Sequence, residues 1–192
     1  TRAATELAIL DEIVKVSDAV MVARGDLAIE TEPESVPILQ RIIIGLGIKY
    51  SKPSIVATQM LASMTDSPEP TRAEVSDVAT AVLIGADCVM LSDETANGKY
   101  PKVAVETMKR IIRYTESNSP LSVTYNEEPV DVNTTQGAIS SAVITLADQV
   151  HAVAIVAETK SGATALKLAA RRPHLPVIVV TSISHVAQQL AI

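Results

Sequence analysis

The sequence is poor in aromatic residues and in cysteine. Its 192 residues include no Trp, no Phe and only four Tyr, although 47% of the residues are hydrophobic, so any core must be aliphatic. The single cysteine, Cys88, lies in an apolar run; it excludes an intrachain disulfide and indicates a buried thiol in a reducing cytoplasm. The three histidines share no metal-ligand spacing.

Other absences narrow the class of partner. The net charge is −6, and the Lys and Arg residues are scattered, which excludes the basic face of a nucleic-acid-binding domain. The sequence has no apolar run of the ~18 residues that a membrane-spanning helix needs, no basic amphipathic helix and no signal-peptide layout. We therefore expect a cytoplasmic protein that binds neither nucleic acid nor membranes.

Short runs rich in Val and Ile alternate with longer segments of helical periodicity, the pattern of βα units around a parallel sheet. Asp26, Thr58 and Ser92 follow three such runs at intervals close to the roughly 31 residues per unit of a (β/α)₈ barrel. This spacing alone does not separate a barrel from a Rossmann-like sheet. The pattern predicts strands at residues 18–23, 53–57 and 87–91. It also predicts three helices: one at residues 36–48, one that begins with a capping box at Thr71–Glu74, and one from Pro101 to about Glu116.

The character of the chain changes near Ser117. Residues 118–134 contain turn formers and acidic residues without a sustained period, so we predict a connection between a domain at 1–117 and another at 135–192. The second domain has more closely spaced strand signals, which indicate a smaller α/β unit. Its predicted elements are helices at about 139–147, 162–171 and from 184 onward, and strands at 152–157 and 176–180.

Residues capable of chemistry follow each of the first three predicted strands. Gly25 permits close approach of a ligand to the backbone, exposed amides there can hold a carboxylate or phosphate, and Asp26 is a hard ligand for Mg²⁺ or Mn²⁺. Thr58 ends the second strand, and Ser92 with Glu94 follows the third, where a hydroxyl beside a carboxylate can relay a proton. Each of these residues could instead serve only as a turn or cap.

Three stretches in this order and spacing resemble pyruvate kinase: VMVARGDLAIE, IVATQMLASM and PTRAEVSDVATAVLIGADCVMLSDETANGKYP. The resemblance implies the last three βα units of a TIM (β/α)₈ barrel followed by part of a smaller three-layer α/β regulatory domain. It implies the last step of glycolysis, in which a phosphoryl group passes from phosphoenolpyruvate to ADP to give pyruvate and ATP. It also implies Mg²⁺ (or Mn²⁺) and K⁺ as cofactors and a homotetramer.

The resemblance also assigns roles to the residues after the strands. It implies that Asp26 binds the divalent metal, that the amides of Gly25 and Asp26 hold the substrate carboxylate, and that Thr58 contacts the substrate. Ser92 and Glu94 match a pair that helps to protonate the enolate.

Some features depart from the family pattern. Ala28 and Asp93 stand where the family often has glycine. Asp93 adds a negative charge between the two relay residues, which we expect to shift their proton affinities. Arg72 and Glu74 match residues near a subunit contact. The family's Lys-Ile-Glu motif, with a phosphoryl-stabilising lysine and a second metal carboxylate, would lie before Thr1, together with nucleotide- and K⁺-binding residues. We therefore expect the 192-residue chain alone to be inactive.

A second candidate anion site lies in the loop 159–164, between a predicted strand and a predicted helix. Hydroxyls, amides and a lysine at a helix start form a cradle for an anion. The resemblance implies that this loop holds a phosphate of a sugar-phosphate effector such as fructose bisphosphate. Alternatively, the serine only caps the helix. The candidate effector-binding residues are Thr159, Lys160, Ser161, Gly162 and Thr164.

The sequence is also compatible with two other functions. The chain could belong to another Mg²⁺-dependent barrel enzyme that acts on pyruvate or phosphoenolpyruvate, such as an aldolase or a mutase. It could also be a non-catalytic module that binds phosphorylated metabolites through the loop 159–164.

Overall fold

The structure is a computed structural model that describes residues 7–118 and 134–191. In the first range, helices alternate with three strands, as the periodicity predicts. The strands are β1 (Val20–Ala23), β2 (Ser54–Ala57) and β3 (Cys88–Val89). The helices are α1 (Leu7–Val16), α2 (Arg24–Glu30), α3 (Val36–Tyr50), α4 (Arg72–Leu83), α5 (Asp93–Ala96) and α6 (Pro101–Asn118), with 3₁₀ turns at Pro33–Ser35 and Ala62–Thr65.

The three strands form one parallel sheet in the order β1-β2-β3. Ala23 pairs with Ala57 and Val56 with Val89, so the carboxyl ends of the three strands lie at the same edge. β3 is shorter than the predicted strand at 87–91. Hydrogen bonds from the amides of Asp87 and Met90 to β2 nevertheless continue the ladder on both sides of it.

The core around this sheet is aliphatic, as the composition predicts. Val22 and Val56 from the strands and Ile44 from α3 are fully buried. Each such side chain contributes roughly 1.5–3 kcal/mol through burial. The segment after β2 is buried as well, through Met60, Leu61 and Met64, which fixes the position of the chain just after this strand.

The predicted capping box opens α4. The Thr71 hydroxyl accepts a hydrogen bond from the Glu74 amide at 3.2 Å, and the Glu74 carboxylate accepts one from the Thr71 amide at 2.7 Å. Glu74 also accepts bonds from the amide and hydroxyl of Ser63. Partial burial raises the pKa of Glu74, but the hydrogen bonds from Ser63 and Thr71 outweigh it and lower the pKa overall.

The second range forms a smaller α/β unit with a parallel pair of strands. Its predicted helices and strands are present, with bounds shifted by at most four residues. The predicted connection at 118–134 lies outside the described residues, except for its two end residues. The elements are α7 (Thr135–Gln149), β4 (Ile155–Glu158), α8 (Ala163–Ala169), β5 (Val177–Val180) and α9 (Ser184–Gln189).

Arg172, which follows α8, connects this unit to the first sheet. Its guanidinium donates to the Gly85 carbonyl at 2.6 Å and to the Asp87 carboxylate at 2.7 and 3.0 Å. Asp87 in turn accepts hydrogen bonds from the amide and hydroxyl of Ser54. These contacts lie at the amino ends of β2 and β3. None of the described helices is both long enough and apolar enough to span a membrane.

Candidate active site at the strand exits

The residues that directly follow β1, β2 and β3, here called the strand exits, lie side by side at one edge of the sheet. At the first exit, α2 begins at once with Arg24. The Gly25 amide donates a hydrogen bond to the Thr58 hydroxyl oxygen at 3.0 Å. Asp26 is exposed in the first turn of α2, and its carboxylate has no hydrogen bond or ion pair with any residue that the structure describes.

The second exit has an unusual backbone conformation. Thr58 and Gln59 have φ angles of 73° and 55°, in the left-handed region that residues with a side chain rarely adopt. Each such residue costs about 1–2 kcal/mol. The conformation persists only where neighbouring groups enforce it.

Arg24 supplies these enforcing contacts. Its Nε and Nη2 atoms donate to the Thr58 carbonyl at 3.2 and 2.5 Å, and its Nη1 atom lies 2.5 Å from an oxygen of Asp77 on α4. The Arg24 side chain is only 11% exposed. A guanidinium this buried needs charge and hydrogen-bond partners, and Asp77 and Thr58 provide them.

The third exit is tied to the second by Glu94, which is 2% exposed. One carboxylate oxygen accepts from the Leu61 amide at 3.0 Å and the other from the Ser92 amide at 2.8 Å. The candidate pair Ser92–Glu94 is therefore joined through the backbone of Ser92. The Ser92 hydroxyl has no hydrogen-bond partner within the described part of the chain. Asp93 lies beside them but is exposed, and it accepts a bond from the Asn97 side chain.

The structure places one carboxylate in a position to serve as a metal ligand here. Within residues 7–118 and 134–191, no three or more His, Cys, Asp or Glu side chains are grouped as a metal site. Asp26 and Glu30 also border an open cavity of about 620 Å³ beside β1, but its other lining residues are mainly apolar and include neither Thr58 nor Ser92. Mg²⁺ commonly binds one or two protein carboxylates and takes its other ligands from water and substrate phosphates. Asp26 therefore fits as one ligand, and the described residues do not complete a coordination shell.

The loop 159–164 lies in the second unit, apart from the strand exits. Thr159 is buried, and its hydroxyl accepts a hydrogen bond from the Gly162 amide at 3.0 Å. Gly162 has a φ of 83°, which favours glycine at this position. Lys160 and Ser161 are exposed, and within the described residues the Ser161 hydroxyl accepts only a long hydrogen bond of 3.4 Å, from the Ala163 amide. Thr159 rather than Ser161 therefore holds the turn.

Two parts of the strand exits were not predicted from the sequence. The sequence alone assigns no role to Arg24 or to its partner Asp77. The signal was present, because an arginine that directly follows a buried strand requires a carboxylate or carbonyl partner. Glu94 was predicted as a relay residue, but its bond to the Leu61 amide could not be read from spacing.

Known proteins are similar to this chain over nearly its whole length. Residues 3–105 match the family model described as "Pyruvate kinase, barrel domain", and residues 137–192 match "Pyruvate kinase, alpha/beta domain". A pyruvate kinase of Agrobacterium vitis is 47% identical over 182 residues, which are 94% of this chain and 38% of that protein. A pyruvate kinase of Mycobacterium tuberculosis is 48% identical over 182 residues, or 95% of this chain and 38% of its own length.

A solved structure supports the same assignment. The crystal structure of a pyruvate kinase from Cryptosporidium parvum superimposes with a TM-score of 0.87 at 40% identity, over 96% of this chain and 38% of that one. The chain thus spans less than two-fifths of the length of these relatives. The predicted fold class, barrel βα units followed by a smaller α/β domain, is confirmed. The chain belongs to the pyruvate kinase family.

Proposed function

We propose that the protein carrying this chain transfers a phosphoryl group from phosphoenolpyruvate to ADP, giving pyruvate and ATP, and that the strand exits bind phosphoenolpyruvate. One observation carries the proposal: three parallel strands end at the same sheet edge, and their exits are linked through Gly25 to Thr58 and through Leu61 to Glu94. Barrel enzymes bind substrate at this carboxyl end of the strands.

The hydrogen bond between the Gly25 amide and the Thr58 hydroxyl suggests how the substrate is held. A carboxylate is a stronger acceptor for an amide than a hydroxyl is. The substrate carboxylate would therefore replace the Thr58 hydroxyl as acceptor at Gly25, and the hydroxyl would turn to donate to the substrate. Substrate binding would thus exchange one hydrogen bond for two, one of them charge-assisted.

The remaining roles belong to Asp26, Ser92 and Glu94. Asp26 would bind Mg²⁺ or Mn²⁺, which when bound neutralises the charge on the transferring phosphoryl group and on the enolate oxygen. The Ser92 hydroxyl, free of partners in the described residues, is the proposed proton relay to the enolate carbon. Glu94 would hold it in place through the Ser92 amide.

Several finer features form part of the same proposal. The intact protein would also use K⁺, bind ADP and ATP, act in the cytoplasm and assemble as a homotetramer. The loop 159–164 would bind a phosphate of a sugar-phosphate effector. Its exposed lysine and serine leave donors available to such an anion.

The activity is tested by measuring pyruvate formation from phosphoenolpyruvate and ADP, with Mg²⁺ and K⁺, by the intact protein. The variant Thr58→Val should lower kcat/KM for phosphoenolpyruvate by roughly 100-fold, comparable to the loss of one preorganised donor in an active site. Thr80→Val, which removes an exposed hydroxyl on α4, is the matched control and should be unchanged. Equal activity of the two variants would contradict the role of Thr58.

The 192-residue chain alone is expected to form no pyruvate. The phosphoryl-stabilising lysine and the second metal carboxylate implied by the family resemblance are not among its residues. We also expect it to self-associate, because apolar side chains beside β1, including Met21 at 49% and Ile29 at 84%, are exposed. If the purified chain formed pyruvate above the blank, the expected inactivity would be wrong. If it stayed monomeric at high concentration, the expected self-association would be wrong.

The effector site is tested by thermal unfolding with inorganic phosphate or sulfate. The variant Lys160→Ala with Ser161→Ala should abolish any rise in Tm with anion concentration. Lys102→Ala, which removes an exposed lysine on α6, should leave it intact. Anion protection that survives the double substitution would favour a purely structural role for the loop.

A further inference from the structure

The backbone of the β2 exit requires an explanation of its own. Thr58 and Gln59 are consecutive residues with side chains, and both have positive φ. Neither is a glycine or asparagine, the residues that tolerate this region. The local sequence therefore does not favour the conformation, and contacts from elsewhere in the fold must maintain it.

Arg24 makes the contacts that bear directly on this turn. Two of its nitrogen atoms donate to the same carbonyl, that of Thr58, and a third binds Asp77. The Nη2 atom also contacts the Met60 sulfur at 2.9 Å. The planar fork of a guanidinium fixes the direction of the group that it binds, so the Thr58 carbonyl is held from a defined side.

The neighbouring residue completes the link between the two exits. The amide of Gly25, next to Arg24, donates to the Thr58 hydroxyl at 3.0 Å. The side chain of Arg24 and the backbone of Gly25 thus bind the carbonyl and the hydroxyl of one residue. If the Thr58 carbonyl rotated away from Arg24, the hydrogen bond between the Gly25 amide and the Thr58 hydroxyl would be lost.

We propose that Arg24 is a positioning residue, anchored by Asp77, that holds Thr58 in the left-handed conformation and so sets where the Thr58 hydroxyl and the Gly25 amide point. The inference rests on the proposed function in one respect, that these two groups meet phosphoenolpyruvate. Arg24 itself touches neither the substrate nor the metal in this account. It acts through Thr58.

The distinguishing variant is Arg24→Lys in the intact protein. Lysine keeps the positive charge opposite Asp77 but cannot donate twice to one carbonyl while binding a carboxylate on the other side. The matched control is Arg172→Lys, because Arg172 also binds a backbone carbonyl and an aspartate, Gly85 and Asp87, but at the opposite end of the sheet. A general loss of packing or charge pairing would affect both variants.

Two readouts are needed, one kinetic and one structural. Arg24→Lys should lower kcat/KM for phosphoenolpyruvate by about 10- to 100-fold, the cost of a misplacement of about 1 Å. The KM for ADP should stay within about twofold, as should all kinetic constants of Arg172→Lys, since neither change displaces a group that binds those ligands. In a crystal structure of Arg24→Lys, Thr58 should leave the positive-φ region and the Gly25–Thr58 hydrogen bond should be lost.

The possible outcomes separate the two proposals. If Arg24→Lys and Arg172→Lys lose the same stability and have the same kinetic constants, Arg24 is only structural and the inference is overturned. If the unsubstituted protein forms no pyruvate, the proposed function fails, and the crystal structure still decides whether Arg24 holds Thr58. If Arg24→Lys does not fold, Asp77→Asn replaces it and should show the same pattern more weakly, whereas unchanged Thr58 geometry in that variant would overturn the anchor.

Discussion

The two ends of the first sheet use the same chemical groups differently. At the amino end, Arg172 binds the Gly85 carbonyl and Asp87, and Asp87 also accepts two bonds from Ser54. At the carboxyl end, Arg24 binds the Thr58 carbonyl and Asp77. Both clusters join elements that are distant in sequence through an arginine, an aspartate and a backbone carbonyl.

The difference lies in what each cluster leaves available. Around the amino-end cluster the polar groups satisfy one another, except that the Arg172 Nε atom is buried without a hydrogen-bond partner among the described residues. Both ends contain left-handed residues, Thr58 and Gln59 at the carboxyl end and Arg172 at the amino end, but only at the carboxyl end do an exposed Asp26 and a Ser92 hydroxyl without a partner among the described residues lie beside them. The same interaction can thus serve stability at one end of a parallel sheet and lie beside the proposed ligand-binding groups at the other, the end at which barrel enzymes have their active sites.

The largest expected effect comes from removing the exposed carboxylate at the carboxyl end. Asp26→Asn should lower the activity of the intact protein by more than roughly 100-fold, because loss of a direct metal ligand exceeds the 10- to 100-fold cost of changing a residue behind it. Its Tm should change little, since Asp26 has no partner in the described structure. Asp148→Asn, which replaces an exposed carboxylate on α7, is the control. Comparable activity of Asp26→Asn and Asp148→Asn would contradict the role of Asp26.

The next effect belongs to the amino end and should appear in stability. Asp87→Ala removes the carboxylate that accepts hydrogen bonds from the Arg172 guanidinium and the Ser54 amide, which should cost about 2–3 kcal/mol in the free energy of unfolding. Urea denaturation measures this loss, and the kcat/KM of the remaining folded enzyme should stay within about threefold because no ligand-binding group has moved. A loss of activity as large as that of Asp26→Asn would show that the two ends are not functionally distinct.

Glu74 also lies at the carboxyl end of the sheet, but all of its acceptor capacity is in use. It should therefore behave as a stabilising residue, and Glu74→Gln should cost about 1 kcal/mol at pH 7, as for the loss of a cap. The pKa of Glu74 is lowered from its ordinary value of 4.5. Its contribution is therefore complete above about pH 4.5 and is lost as the pH falls through the lower pKa of the folded state.

Stability curves of the two proteins against pH provide the measurement. The difference between the unsubstituted protein and Glu74→Gln should shrink as the pH falls below 4.5. A difference that grows on acidification, or a loss of activity out of proportion to the loss of stability, would contradict the structural role.

The smallest expected effect concerns Asp93. The charge at this position was predicted to shift the proton affinities of the relay residues. The structure shows an exposed side chain whose only partner among the described residues is Asn97, and water and salt screen exposed charges strongly. Asp93→Asn should change kcat by less than about threefold in steady-state assays, and a larger change with a shifted pH profile would restore the original expectation.

The order of the elements and the edge where the strand exits meet could be predicted from the sequence. Alternating apolar runs and helical stripes carry that information locally, and parallel strands necessarily end on one side. The capping box was also predictable, because Thr71 and Glu74 lie within one helical turn. The predicted catalytic and binding residues at the three exits do lie at that edge, but their roles remain predictions.

What escaped prediction depends on distant pairs or on strained backbone. Arg24 and Asp77 lie on different βα units, and so do Asp87 and Arg172, so no local pattern pairs them. The left-handed Thr58 has no sequence signal, because threonine does not favour it. The short helices α2 and α5 were missed for a related reason: seven and four residues hold too little periodicity to detect.

The central claim is that the strand exits form the metal and substrate site of a pyruvate kinase. It is tested most directly by titrating the intact protein with Mn²⁺ in the presence of phosphoenolpyruvate and following water-proton relaxation. Asp26→Asn should weaken Mn²⁺ binding by at least about tenfold, as expected for loss of a direct ligand, while Asp87→Asn should bind Mn²⁺ like the unsubstituted protein. Equal Mn²⁺ affinity in all three proteins would contradict the central claim.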